Sequence, residues 1–248
     1  MAEPLRVPEP GANDPLAWLT GLEGVPSGMS SARDGVDALL RDRGRKQTTP
    51  EQTTESLLRG AHASAALEGS SSTIEQVRGG QADDIAQAAL RVSTGMLALV
   101  PVIGNSPSQA FARLHALAGK GVVDEDALGR PVSAEAAARL NGLAETLLAT
   151  TVPAMLVAAL VHADLATVAP FASHNGIVAR AAERLVLVAR GVDPASVTVP
   201  EAGHLALRAA YESNLRGYAA GGQNGLHSWL LYATQAYSAG TEASPLRG

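Results

Sequence analysis

The sequence predicts an all-α protein, and two observations lead there. Hydrophobic residues make up 46% of the 248 positions while aromatics make up only 3%, so the core must be built from aliphatic side chains. Those side chains recur at helical spacing between helix-capping signals, and no segment keeps the period-two alternation of a half-buried strand. A chain of this length can bury a substantial core.

The elements follow in order. Residues 1–30 are polar and Pro/Gly-bearing at the start and read as a flexible lead, 31–240 as one helical domain, and 241–248 as a tail. Thr49-Pro50-Glu51-Gln52 is a capping box with proline at the first helical position, opening a helix through Leu57, Leu58, Ala61 and Ala65. Gly79-Gly80 ends a short segment. From Asp83, one face carries Ile85, Ala89, Val92, Met96 and Leu99. Pro101 to Pro107 reads as a loop, and Pro107 then opens a helix bearing Phe111, Leu114 and Leu117. Gly119 to Pro131 fits either a loop or a small β-hairpin. Ser133 caps a helix to about Leu148, and Pro153 starts another that is apolar on nearly all sides until His162, as a central core helix should be. A helix from Gly176 to Arg190 stops at Gly191, and Pro200–Leu215 and Leu226–Ala239 complete the set.

Composition excludes several functions. The net charge is −5, which disfavours non-specific binding to nucleic acid or anionic membrane, and few aromatics are available to stack on bases. The absence of cysteine removes disulfides, thiolate nucleophiles and cysteine-ligated metals, and fits a cytoplasmic location. The N-terminus lacks the apolar core of a signal peptide, and the longest apolar run, Val152 to Val161, is too short to span a bilayer. These readings describe a soluble protein. The six histidines show no close pair on one helical face, so no metal site is expected.

The stretch with most chemical content is Ala169-Pro170-Phe171-Ala172-Ser173-His174-Asn175-Gly176-Ile177-Val178-Ala179-Arg180. It reads as a loop running into a helix N-terminus, where free N–H groups and the macrodipole favour an anion. It resembles the signature HPFx(D/E)GNGRxxR of the Fic (Fido) family, whose members mostly transfer AMP from ATP to protein hydroxyls. Upstream, Ser64-Ala65-Ala66-Leu67-Glu68-Gly69 resembles that family's inhibitory-helix motif, (S/T)xxxE(G/N). His162-Ala163-Asp164 resembles the His-x-Glu spacing many members carry before the signature. The resemblance runs from about Gln52 to Arg190 and implies a Fic-like helical bundle.

Position by position, the resemblance implies loss of the standard chemistry. Ala169 stands where the family has its general-base histidine, a group typically worth about 10²–10⁴-fold. Ser173 replaces the acidic magnesium ligand, so ATP is the implied cofactor while Mg²⁺ is disfavoured. His174 replaces the first glycine of the GNG turn, and Ile177 the first arginine. Asn175, Gly176 and Arg180 survive as candidate nucleotide or anion contacts. Glu68, with Ser64 and Gly69, is the implied inhibitory element that pairs with Arg180.

Three functions stay open on this reading. One is a Fic-like protein without AMP-transferase activity, whose signature helix retains at most an anion or nucleotide site gated by Glu68. Another is an active nucleotidyl- or phosphotransferase acting on a protein, with His174 as relocated base or nucleophile. The last is a non-enzymatic helical interaction module, in which His204, His227, Trp229 and Tyr232 serve as core or interface. On the Fic-like readings the expected partner is a protein at the signature groove. The sequence specifies no oligomeric state.

Overall fold

The computed structural model describes residues 14–41 and 48–247. Among them are twelve α-helices and no strand. In chain order they are α1 (Val25–Arg41), α2 (Pro50–Leu67), α3 (Ile74–Arg78), α4 (Asp84–Met96), α5 (Val100–Ile103), α6 (Pro107–Gly119), α7 (Ala134–Ala149), α8 (Ala154–Val168), α9 (Asn175–Ala189), α10 (Pro200–Ala206), α11 (Arg208–Ala219) and α12 (Gly222–Glu242).

Capping chemistry sets many of the starts. Thr49 and Gln52 form the expected box ahead of α2, and Thr73 with Gln76 forms another ahead of α3. Asp83 and Ser133 accept from the Ala86 and Ala136 N–H groups at 2.9 and 3.1 Å. Arg91 on α4 closes the far end of α6, donating to the Leu117, Ala118 and Lys120 carbonyls.

Helix α8 is the centre of the molecule. Its residues from Met155 to Leu165 are buried almost without break, and α1, α7, α9, α11 and α12 pack around it. Trp229 on α12 is fully buried and donates its indole N–H to the Ala159 carbonyl at 2.8 Å, while Tyr237 reaches the Met155 carbonyl at 3.1 Å. The partner of α8, α9, is also enclosed by α2, α4, α5, α6 and α10, so its residues 177–187 are buried on every face. Helices α10 and α12 cross so closely that a Cβ at Gly203 would overlap the Ala236 carbonyl.

Several boundaries depart from the sequence reading. Among the described residues, a 3₁₀ turn at Ala17–Gly21 and α1 replace the flexible lead expected through residue 30, because Leu19, Val25 and Met29 bury against the core. Residues 1–13 lie outside the described residues. At the other end α12 runs to Glu242, with Thr241 and Ser244 buried, inside the expected tail. After α6 ends at Gly119, residues 120–131 form a loop with one 3₁₀ turn at Glu125–Ala127, not a hairpin. Pro101 lies within the short α5 rather than a loop, and the helix expected over Pro200–Leu215 breaks at Leu207 into α10 and α11.

One stretch, Asp84–Ile103, is long and apolar enough to cross a membrane, with a mean hydropathy of 1.5. Here Ala86, Ala89, Val92, Met96 and Ile103 lie in the common core, and α4 packs on α2, α6 and α9.

Candidate functional site

The signature segment joins the two central helices. Ala169 ends α8 in the left-handed region (φ 47°), and His174 precedes α9 in the same region (φ 54°). Asn175 clamps the intervening turn: its Oδ1 accepts from the Phe171 N–H at 2.9 Å and its Nδ2 donates to the Phe171 carbonyl at 2.8 Å. Phe171 is buried and stacks flat on His115 of α6, with ring centres 4.5 Å apart. From the other side the Val132 N–H donates to the Pro170 carbonyl at 2.9 Å.

Arg180, one turn into α9, is 1% exposed and makes four hydrogen bonds. Its Nε donates to Ser64 Oγ (2.9 Å), Nη1 to the Tyr211 hydroxyl (3.0 Å), and Nη2 to the Ser64 carbonyl (3.1 Å) and to Glu68 Oε1 (2.7 Å). Burial opposes the guanidinium charge, but Tyr211 and Glu68 outweigh it and raise the pKa further.

Glu68 caps the end of α2, and Gly69 follows at φ 93°, the left-handed residue that lets the chain turn away. The carboxylate thus lands on the first turn of α9, where a Cβ at position 176 would overlap Oε1. Gly176 is therefore the residue that admits Glu68, and the anion-favouring end of α9 already holds an anion from within the chain.

The structure brings Ser64, Glu68, Gly69, Gly176 and Arg180 together as the motifs suggested. Asn175 lies there too, but its amide is spent on the loop backbone. Ile177 is 1% exposed and sits in the core. His174 is half-buried with Nδ1 2.9 Å from Ser173 Oγ, and burial lowers its pKa more than the Glu68 carboxylate raises it. The imidazole is accordingly neutral near pH 7.

Among the described residues the fold is shared with known structures. The chain has the Fic fold. It superposes on a Fic family protein from Desulfovibrio desulfuricans G20 with a TM-score of 0.69 at 18% identity, covering 87% of this chain and 73% of that one. A fragment of Fic-1 from C. elegans gives 0.64 at 16% identity, covering 94% and 77%. No protein-family model and no curated protein matches the sequence itself.

Behind this Fic-fold site lies a buried polar cluster that sequence reading missed. His162 Nδ1 and His204 Nε2 each lie 2.8 Å from Glu183 Oε2, and their other nitrogens meet the Tyr211 and Tyr232 hydroxyls at 2.9 and 2.7 Å. Because Arg180 donates to Tyr211, the Tyr211 hydrogen points to His162 Nε2, which places the His162 proton on Nδ1 toward Glu183. Burial pushes His162 down to about 4 despite the neighbouring carboxylate. Burial alone would raise Glu183, yet His204 and His162 outweigh it and hold the carboxyl well below its ordinary range. One sign was legible: Arg180, Glu183 and Arg184 are the only charges in the otherwise apolar run Ile177–Val188. Arg184 anchors a second cluster with Ser56, Ser196 and Glu201.

Proposed function

We propose that this protein is a Fic-fold protein without standard AMP-transferase activity, whose remaining anion or nucleotide site at the start of α9 is held shut by Glu68. One observation carries the reading. The Glu68 carboxylate lies on the first turn of α9, 2.7 Å from Arg180, beside a loop that has Ala169 where the family resemblance implies a general base.

The electrostatics support a closed site. Phosphate oxygens entering here must displace a carboxylate that already has a charge-assisted bond and a favourable helix end. If Glu68 leaves, Arg180 stays anchored by Ser64 and Tyr211, so one face of its guanidinium becomes available without moving the side chain. With Ser173 in place of an acid, binding would depend little on Mg²⁺.

The test is calorimetric titration of ATP, with and without Mg²⁺, into the wild type and Glu68→Gly, with radiolabelled ATP incubations run in parallel. The expected result is binding in Glu68→Gly alone and no nucleotide transfer by either protein. Transfer that disappears in His174→Ala would instead establish His174 as a relocated base or nucleophile. Its neutral, half-buried imidazole beside Glu68 is what keeps that second reading in view. Absence of binding to either protein would leave the Glu68–Arg180 pair as a structural clamp in a binding module.

A further inference from the structure

We infer that His162, Glu183 and His204 form a buried structural site for a divalent transition ion of the Zn²⁺ class, tying α8, α9 and α10 together. The inference is independent of the reading of Glu68.

The geometry is that of converging ligands. Three helices each contribute one fully buried side chain, and the donor atoms His162 Nδ1, Glu183 Oε2 and His204 Nε2 all lie within 4.8 Å of one another. The two imidazoles meet at 86° with ring centres 4.7 Å apart, so their nitrogens point at the carboxylate from different directions. Metal–ligand bonds of about 2.0–2.2 Å set tetrahedral ligands roughly 3.3 Å apart, so the 2.8 Å N···O contacts would open by about half an ångström while the two imidazole nitrogens, within 4.8 Å of each other, close toward the same spacing.

A second observation points to a missing ligand. Glu183 Oε1 is buried and has no hydrogen-bond partner among the described residues. Tyr237 has one hydroxyl hydrogen and two acceptors in reach, the Met155 carbonyl at 3.1 Å and this carboxylate, so an ion on Oε1 would leave that hydrogen to Met155. A native carboxylate oxygen left bare in the core is costly. An ion bound bidentately by Glu183 would use it, giving four donor atoms from three residues.

The surroundings match a ligand shell. Each histidine's outer nitrogen meets a tyrosine hydroxyl, the kind of partner that fixes ring orientation around a metal. On loading, each imidazole proton moves to the outer nitrogen and is donated to the Tyr211 or Tyr232 oxygen, whose own hydroxyl hydrogen rotates away from the ring. No proton is gained or lost. Two imidazoles with a single carboxylate suit a borderline ion such as Zn²⁺ rather than Ca²⁺ or Mg²⁺, which prefer oxygen ligands. The adjacent Arg180 charge is balanced by Glu68.

Because the site is closed to solvent, loading occurs during folding. The test is therefore metal content by mass spectrometry of protein expressed with supplementary Zn²⁺ and dialysed against a chelating resin. The wild type is also unfolded and refolded with Zn²⁺ or Co²⁺. The expected result is about one ion per chain by both routes, visible ligand-field absorption from the Co²⁺ form, and at least a tenfold drop in metal content in Glu183→Gln. Tyr232→Phe, which keeps the ring and packing, should weaken retention about 10–100-fold. Folded wild-type protein without metal by both routes overturns the inference, as does equal metal content in folded Glu183→Gln. If that variant does not fold, the wild-type measurements decide.

Discussion

Arg180 and Glu68 form one ion pair, yet the two ends stand to lose different amounts when cut. The Arg180 side chain is 1% exposed and the Glu68 side chain 33%. Arg180→Ala empties a large buried volume and leaves Ser64 and the Tyr211 hydroxyl without their donor. Losing that buried volume together with those hydrogen bonds costs about 3–5 kcal/mol, the range for cutting a large core side chain back to alanine. Glu68→Ala leaves Arg180 with its bonds to Ser64 and Tyr211, and water can reach the vacated edge. The loss is then one partly screened charge-assisted hydrogen bond, about 1–2 kcal/mol. At roughly 2–4 °C per kcal/mol for a domain of this size, the melting temperature should fall about 6–20 °C for Arg180→Ala and about 2–8 °C for Glu68→Ala. Urea unfolding followed by circular dichroism, with calorimetry as a second probe, measures both. The double variant should cost less than the two singles added, since the shared ion pair can be lost only once. If Glu68→Ala costs as much as Arg180→Ala, the partly wet edge of the pair has been misjudged and the asymmetry argument fails.

Other substitutions probe different parts of the same reasoning. Gly203→Ala puts a methyl into the Ala236 backbone carbonyl where α10 crosses α12; the backbones must part, for a loss of about 3 kcal/mol or more in denaturant unfolding. Gly176→Ala should evict Glu68 while improving helix propensity by about 1 kcal/mol, so stability should change little, and because the same methyl fills the place a phosphate oxygen would take, ATP affinity should not rise as it does in Glu68→Gly. Asp14 accepts bonds from Thr150, Thr151 and Leu16; burial works to raise its pKa, but these bonds outweigh it and lower the group from 3.8 to about 2. The unfolded chain therefore takes up the proton first on acidification. Stability from Asp14 is present above pH 3.8 and lost as pH falls toward 2, so the melting curves of the wild type and Asp14→Asn should converge over that window. A gap that stays constant down to pH 2 would assign the anchoring to shape rather than charge.

Much of this was legible in the residues. Helix starts at Pro50, Pro107 and Pro200 were readable because capping boxes and first-position prolines are local chemistry, complete within four residues. The all-apolar character of α8 announced its central position for the same reason. Legibility failed where the deciding partner was distant in the chain. Nothing in residues 14–30 says that Leu19 and Met29 will be covered, and Leu207 breaks a helix whose periodicity runs through it. Asn175 had the look of a ligand contact, but its amide is consumed by the loop that positions it.

Sequence alone therefore determined the helical class and most helix starts, and the family resemblance implied the pairing of Glu68 with Arg180, whose motifs could be recognised because each is short and contiguous. Only the tertiary structure decided that Glu68 reaches across to the first turn of α9, because that depends on the absent side chain of Gly176 and on the angle at which α2 meets α9. It also assembled His162, Glu183 and His204 from three helices into one buried cluster. Spacing along a chain carries no record of a point where three helices meet, and in an aliphatic core that meeting point is where the polar chemistry has gathered.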